Sequence, residues 1–321
     1  MKLVLASALL LSGLCAPALR AQEVSSRTYT LKGGSTLTYQ KPGFWHTMGS
    51  GPSDLGLFFK ESFKKESLPW VAAVGASTLI LIAYDQRIYT GSKKIGKKLG
   101  LSGKDKTRTY LKANGVSLFR GPSDLGSALY FLGDGWINIG LFAYFETRAL
   151  LDKTDWRAAQ TGHQLAEGLV FTGVVTQAIK RITGRETPSG ATAAGGVWRM
   201  FPSFAEFKEH RSRYDAVPSG HLATGMMSIT VIAGNYPEKK FVKPLGYALL
   251  AGLSFQMMNN GVHWASDYPL GLAIGYGIGK AIAAGGRTAA KRGGPAAAPA
   301  VKLLPYLGPE GGPGALLAYR F

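Results

Sequence analysis

Six apolar stretches punctuate the chain, at 70–84, 127–146, 162–179, 222–235, 244–258 and 265–284. Several hold only 14 or 15 residues. At 1.5 Å per residue such a helix falls short of the roughly 30 Å hydrocarbon core of a bilayer. Others carry polar positions inside the run, at Asp134, Asn138, His163, Glu167 and Asp267. Short helices with polar insertions fit the buried elements of a bundle. The pattern therefore predicts an all-α fold, a helical bundle of about six core helices over residues 50–284.

The ends read differently. "RTYTLKGGSTLTYQK" (27–41) alternates and breaks at Gly33-Gly34, predicting a hairpin within an N-terminal segment 22–49. "VKLLPYLGPEGGPGALLAYRF" (301–321) predicts a second hairpin, joined to the bundle by a linker, 285–300, rich in Gly, Ala and Pro. "GPSDLG" occurs at 51–56 and again at 121–126, each before an apolar run. Ser53 or Asp54, and Ser123 or Asp124, are expected helix N-caps. Residues 1–21 pair Lys2 with an apolar run and small residues at 16–18, the signature of a secretory signal peptide. The single cysteine, Cys15, lies in that segment, so the rest of the chain has neither disulfide nor thiol chemistry.

Charge narrows the partners. Lys and Arg outnumber Asp and Glu 37 to 19, for a net charge of +18. That favours phospholipid or phosphate esters. No zinc spacing and no aromatic-basic motif points to nucleic acid. The loop 85–120 holds ten Lys and Arg, which resembles a cytoplasmic membrane loop or a surface for anionic lipid.

Three motifs sit at ends of apolar runs. In "VPSGHLATG" (217–225), Ser219 suits an N-cap, Gly220 opens the backbone amides to an anion, and His221 projects from the first turn. In "VHWASD" (262–267), His263 and Asp267 share one helical face, so the carboxylate can fix the imidazole tautomer. In "KRITGRETP" (180–188), Lys180, Arg181 and Arg185 bring cations to a helix C-terminus. Each taken singly is a weak signal: a surface cap, a local Asp cap, ordinary basic residues.

Together, in this order, the motifs resemble the type 2 phosphatidic acid phosphatase and vanadium haloperoxidase superfamily, over about 160–284. Its pattern is K-x6-R-P, then P-S-G-H, then S-R-x5-H-x3-D. The resemblance implies a helical bundle and a hydrolase of acid phosphatase or lipid phosphate phosphatase type. It implies that His263 is a nucleophile forming phosphohistidine, that His221 protonates the leaving oxygen, and that Asp267 orients His263. Lys180, Ser219 and Gly220 would hold the phosphate, with no metal and no cofactor. The family's two phosphate-binding arginines fall here on Thr187 and Met257. Arg185 is expected to replace them, with Arg199, Arg211 and Arg213 in the following loop as further cations.

The expected substrate is a phosphate monoester or diphosphate, lipid-linked substrates included. The alternatives are a non-catalytic anion- or lipid-binding protein on the same fold, or a vanadate-dependent haloperoxidase. The leader and the short helices favour a periplasmic, membrane-associated bundle with its site facing the periplasm over a six-span protein. The partners expected are a phosphorylated small-molecule or lipid substrate and the membrane surface. Oligomeric state is open.

Overall fold

The computed structural model describes residues 26–290, 301–307 and 313–319. The predicted signal peptide with Cys15, and most of the predicted linker, lie outside the described residues. A bundle of six helices forms the body: α1 (Phe44–Ser62), α4 (Gly135–Leu151), α5 (Trp156–Thr183), α7 (Gly220–Asn235), α8 (Val242–Asn260) and α9 (Tyr268–Gly285). Its main core joins Phe58, Leu165, Met227, Val231, Ile274 and Ile278. A second cluster, on the α8 side, joins Leu222, Leu253, Met257 and Tyr268. The remaining helices are α2 (Leu68–Lys98) and the short α3 (Leu125–Phe131) and α6 (Phe204–Glu209).

The tightest pair is α7 with α9. Gly271, Gly275 and Gly279 recur every four residues and so share one face of α9. A Cβ at Gly271 would stand 2.6 Å from the carbonyl of Ser219, and one at Gly279 would stand 2.9 Å from that of Met227. The bare stripe lets the two backbones meet. It also brings the start of α7 beside the start of α9, where two of the sequence motifs lie.

Several expectations change. The first "GPSDLG" is not a helix entry: it lies inside α1, which starts at Phe44 and carries Pro52 in its interior. The second copy does start a helix, with the Asp124 carboxylate accepting from the Ser127 amide at the α3 N-terminus. The 127–146 run is split between α3 and α4 at Leu132–Asp134. A hairpin of β3 (Thr107–Ala113) and β4 (Val116–Pro122) interrupts the helical body, where the basic loop gave no period-2 signal.

The N-terminal hairpin is present as β1 (Ser26–Thr30) and β2 (Thr36–Gln40), turning through Gly33 and Gly34 at positive φ. It gains a third strand, β5 (Thr288–Ala290), paired with β2. Part of the predicted linker is therefore ordered against the far end of the chain. The C-terminal hairpin is β6 (Val301–Leu307) with β7 (Pro313–Tyr319), antiparallel.

The apolar run 70–84 is the largest correction. It is not a core helix but the first half of α2, a 31-residue helix, about 46 Å long. Leu79 is 70% exposed and Trp70 75% exposed. Among the described residues α2 is the one helix long and apolar enough to cross a membrane. Its second half is basic, with Arg87, Lys93, Lys94, Lys97 and Lys98.

Candidate active site

Lys180 ends the last full turn of α5, and Gly184 closes that helix in the left-handed region at φ 52°. A side chain there would run into the carbonyl of Arg199, so glycine is required by both conformation and space. The chain then passes through Arg185–Thr187 and a long loop before returning at Asp215–Ser219. Arg185 bridges backbone to backbone with Trp198 on one side and Asp215 on the other.

Ser219 caps α7, its hydroxyl accepting from the Leu222 amide at 3.4 Å. Its own amide donates to the carbonyl of Asp267 at 3.1 Å. The second motif is thereby pinned to the third by main chain. Gly220 has open space where a Cβ would stand, its closest neighbour being Thr176 Oγ1 at 3.9 Å. The amides of this first turn carry the positive end of the helix dipole, a suitable place for an anion.

Gly261, left-handed at φ 74°, ends α8 and turns the chain into His263. His263 is 1% exposed, and its Nδ1 lies 3.3 Å from Asp267 Oδ2. The same oxygen accepts from the Trp264 amide at 2.7 Å. With the proton on Nδ1 facing the carboxylate, Nε2 keeps its lone pair for chemistry. The rings of His221 and His263 are 6.0 Å apart, centre to centre. His221 also packs on the ring of Tyr130 at 5.2 Å. Burial, first, and the nearby His263 and Lys180 push the His221 pKa down to about 3, with Asp215 opposing. The imidazole is neutral in the absence of substrate.

Lys180 reaches the same region. Its Nζ donates to both the carbonyl and the carboxylate of Asp215, at 2.8 Å each. Arg211 holds the other oxygen of that carboxylate at 3.2 Å. One acid thus occupies two cations beside the paired histidines.

Arg185 does not join this group in the way the sequence suggested. It is fully buried and stacked between Trp198 and Trp264. Its Nη1 donates to Ser266 Oγ at 2.6 Å and to Asp267 Oδ1 at 3.0 Å. Its Nη2 donates to Asp85 Oδ2 and to the carbonyl of Gly195, both at 2.7 Å, and Nε faces that same carbonyl at 3.3 Å. All five N–H groups have protein acceptors, so Arg185 is not the phosphate ligand that the sequence suggested. The extended segment after Gly184 turns this side chain behind Asp267 rather than in front of His263.

Nor do the two positions that depart from the family pattern supply a charge. Thr187 is tied to the loop, its amide donating to the carbonyl of Ser212 at 2.8 Å. Met257 is fully buried, with the Ser219 hydroxyl donating to its sulfur at 3.7 Å. Arg199 is paired with the buried Glu186. Of the loop cations with a described partner, Arg211 is the one that shares Asp215 with Lys180.

Asp85 is the residue that sequence reading missed. It stands mid-α2, fully buried, and accepts from the Ser266 amide at 3.0 Å and hydroxyl at 2.5 Å. Its signal was present: an acid ending a 15-residue apolar run on a helix otherwise basic.

The family model described as the PAP2 superfamily matches residues 162–289. No curated protein matches the chain. Among solved structures, the crystal structure of the first transmembrane PAP2-type phosphatidylglycerolphosphate phosphatase from Bacillus subtilis is similar at 13% identity, with a TM-score of 0.38. The match covers 66% of this chain and 92% of that one.

Proposed function

From the match of residues 162–289 to the PAP2-superfamily model, we propose that the protein is a phosphatase working through a phosphohistidine on His263. The observation that carries this reading is the pairing of His221 and His263, rings 6.0 Å apart, with Asp267 on the far nitrogen of His263.

In the first step His263 Nε2 attacks phosphorus. The N–P bond forms, the P–O bond to the leaving group breaks, and His221 gives its proton to the departing oxygen. Asp267 stabilises the positive imidazole that results. In the second step water attacks phosphorus, the N–P bond breaks, and His221 takes the proton from water. Lys180 and the Gly220 amide, presented by the Ser219 cap at the start of α7, hold the phosphoryl oxygens, with Arg211 as the additional cation.

His221 must be protonated for the first step, yet burial and its cationic neighbours keep it neutral without substrate. A bound phosphate anion opposes both effects, so proton uptake accompanies binding. Raising the pH should therefore weaken binding: KM rises on the alkaline side.

The substrate we favour is lipid-linked. The exposed apolar half of α2 ends at Asp85, which touches Ser266 beside the catalytic pair, and the basic half begins at Arg87. The site therefore lies where α2 passes from apolar to basic. That is the depth of a phosphate headgroup for a helix inserted in a bilayer.

The test is phosphate release by purified protein from p-nitrophenyl phosphate and from phosphatidate in mixed micelles. His263→Ala should abolish turnover of both. His221→Ala should let phosphoenzyme accumulate with p-nitrophenyl phosphate, whose leaving group needs no proton. Near-normal turnover in His263→Ala defeats the assignment.

A further inference from the structure

The geometry points to Asp85 as a positioning residue for the His263–Asp267 pair, which makes turnover depend on α2, a helix outside the matched residues 162–289. The inference rests on the phosphatase reading above.

Asp267 faces an imidazole on one oxygen and a guanidinium on the other. His263 lies 3.3 Å from Oδ2, and Arg185 lies 3.0 Å from Oδ1. A guanidinium acting alone would neutralise the carboxylate and leave His263 facing a pair of zero net charge. Asp85 closes on the opposite edge of that guanidinium, at 2.7 Å. Two carboxylates around one guanidinium carry a net charge of −1, in a region where all three side chains are fully buried. That residual charge matches the positive imidazole formed when His263 takes the phosphoryl group. Low dielectric strengthens the match. On the phosphate side, Lys180 and Arg211 share Asp215, a net charge of +1 directed at the substrate anion, and neither cation has a described contact with Asp267, Arg185 or Asp85.

Asp85 acts on geometry as well. Its two oxygens hold the amide and hydroxyl of Ser266, the residue before Asp267. The Ser266 hydroxyl in turn accepts from Arg185 at 2.6 Å. The short 3-10 turn Ala265–Asp267 is thus fixed from α2. A carboxylate buried on an apolar helix is costly unless it is fully paired. Here every described partner of Asp85 belongs to the shell around Asp267.

The experiment compares wild type, Asp85→Asn, Asp85→Glu, Ser266→Ala and His263→Ala on p-nitrophenyl phosphate in detergent, with thermal unfolding of each. In Asp85→Asn, kcat should fall on the order of 10²-fold, the loss expected when a catalytic group is displaced, with KM changed less than about twofold. Asp85→Glu, which restores the charge, should recover part of that loss. Ser266→Ala keeps both charges and should lose about tenfold in kcat, again with little change in KM. The proposal is overturned if folded Asp85→Asn turns over like wild type. It is also overturned if its loss is matched by an equal loss of folded protein. Should Asp85→Asn yield no folded protein, Ser266→Ala decides, and wild-type kcat there overturns the proposal. Turnover that survives in His263→Ala would instead defeat the phosphatase reading.

Discussion

Replacing Arg185 by Met separates two roles that the sequence confuses. The guanidinium is fully buried and gives its donors to Asp85, Ser266, Asp267 and the carbonyl of Gly195. Methionine fills much of the volume between Trp198 and Trp264 but leaves two buried carboxylates with no cation between them. Breaking a buried ion pair by removing one partner costs about 3–5 kcal/mol. Domains of about 150–250 residues shift by about 2–4 °C per kcal/mol and longer chains by less, so Arg185→Met should lower the midpoint by about 5–10 °C. Differential scanning fluorimetry in detergent reads this directly. A second arm sharpens it. Adding Asp85→Asn removes one of the orphaned charges, so the double variant should melt above Arg185→Met alone, a coupling that independent sites do not show. Arg185→Lys should not restore stability, because one ammonium cannot span the same acceptors. The reasoning fails if Arg185→Met melts like wild type and loses only substrate affinity. That outcome would describe a phosphate ligand in the pocket.

Two further outcomes follow from buried contacts elsewhere. A Cβ at Gly133 would stand 2.7 Å from the Cβ of His221, so Gly133→Ala should displace the proton donor and lower kcat about tenfold or more, measured on a substrate with a poor leaving group. Glu167 is 1% exposed; burial, then the charge of Asp54, raises its pKa from 4.5 to about 9. Between those values the folded protein holds a proton that the unfolded chain has released, so stability falls as pH rises from about 4.5 to about 9. Glu167→Gln should flatten that dependence and raise the melting temperature at pH 8, read from midpoints across the window.

Much of the molecule was legible because its signals are local. Helix periodicity, the Gly33-Gly34 turn, the Asp124 cap and the spacing from His263 to Asp267 each depend on residues within a few positions of one another. The motif order and the four-residue glycine spacing of α9 also lie in the sequence. What the glycines accomplish, a backbone contact that sets Ser219 against Asp267, appears only when α7 and α9 are side by side. The role of Arg185 was misread because an extended segment permits either facing, and the loop from Gly195 to Asp215 decided it. Asp85 could not be placed at all: it stands 100 residues before Arg185, and no local pattern says which buried partner an isolated acid will find. Likewise, composition could not say that the apolar run 70–84 faces outward while runs of similar length form the core. Burial is a property of what packs against a helix, and that is settled only in three dimensions.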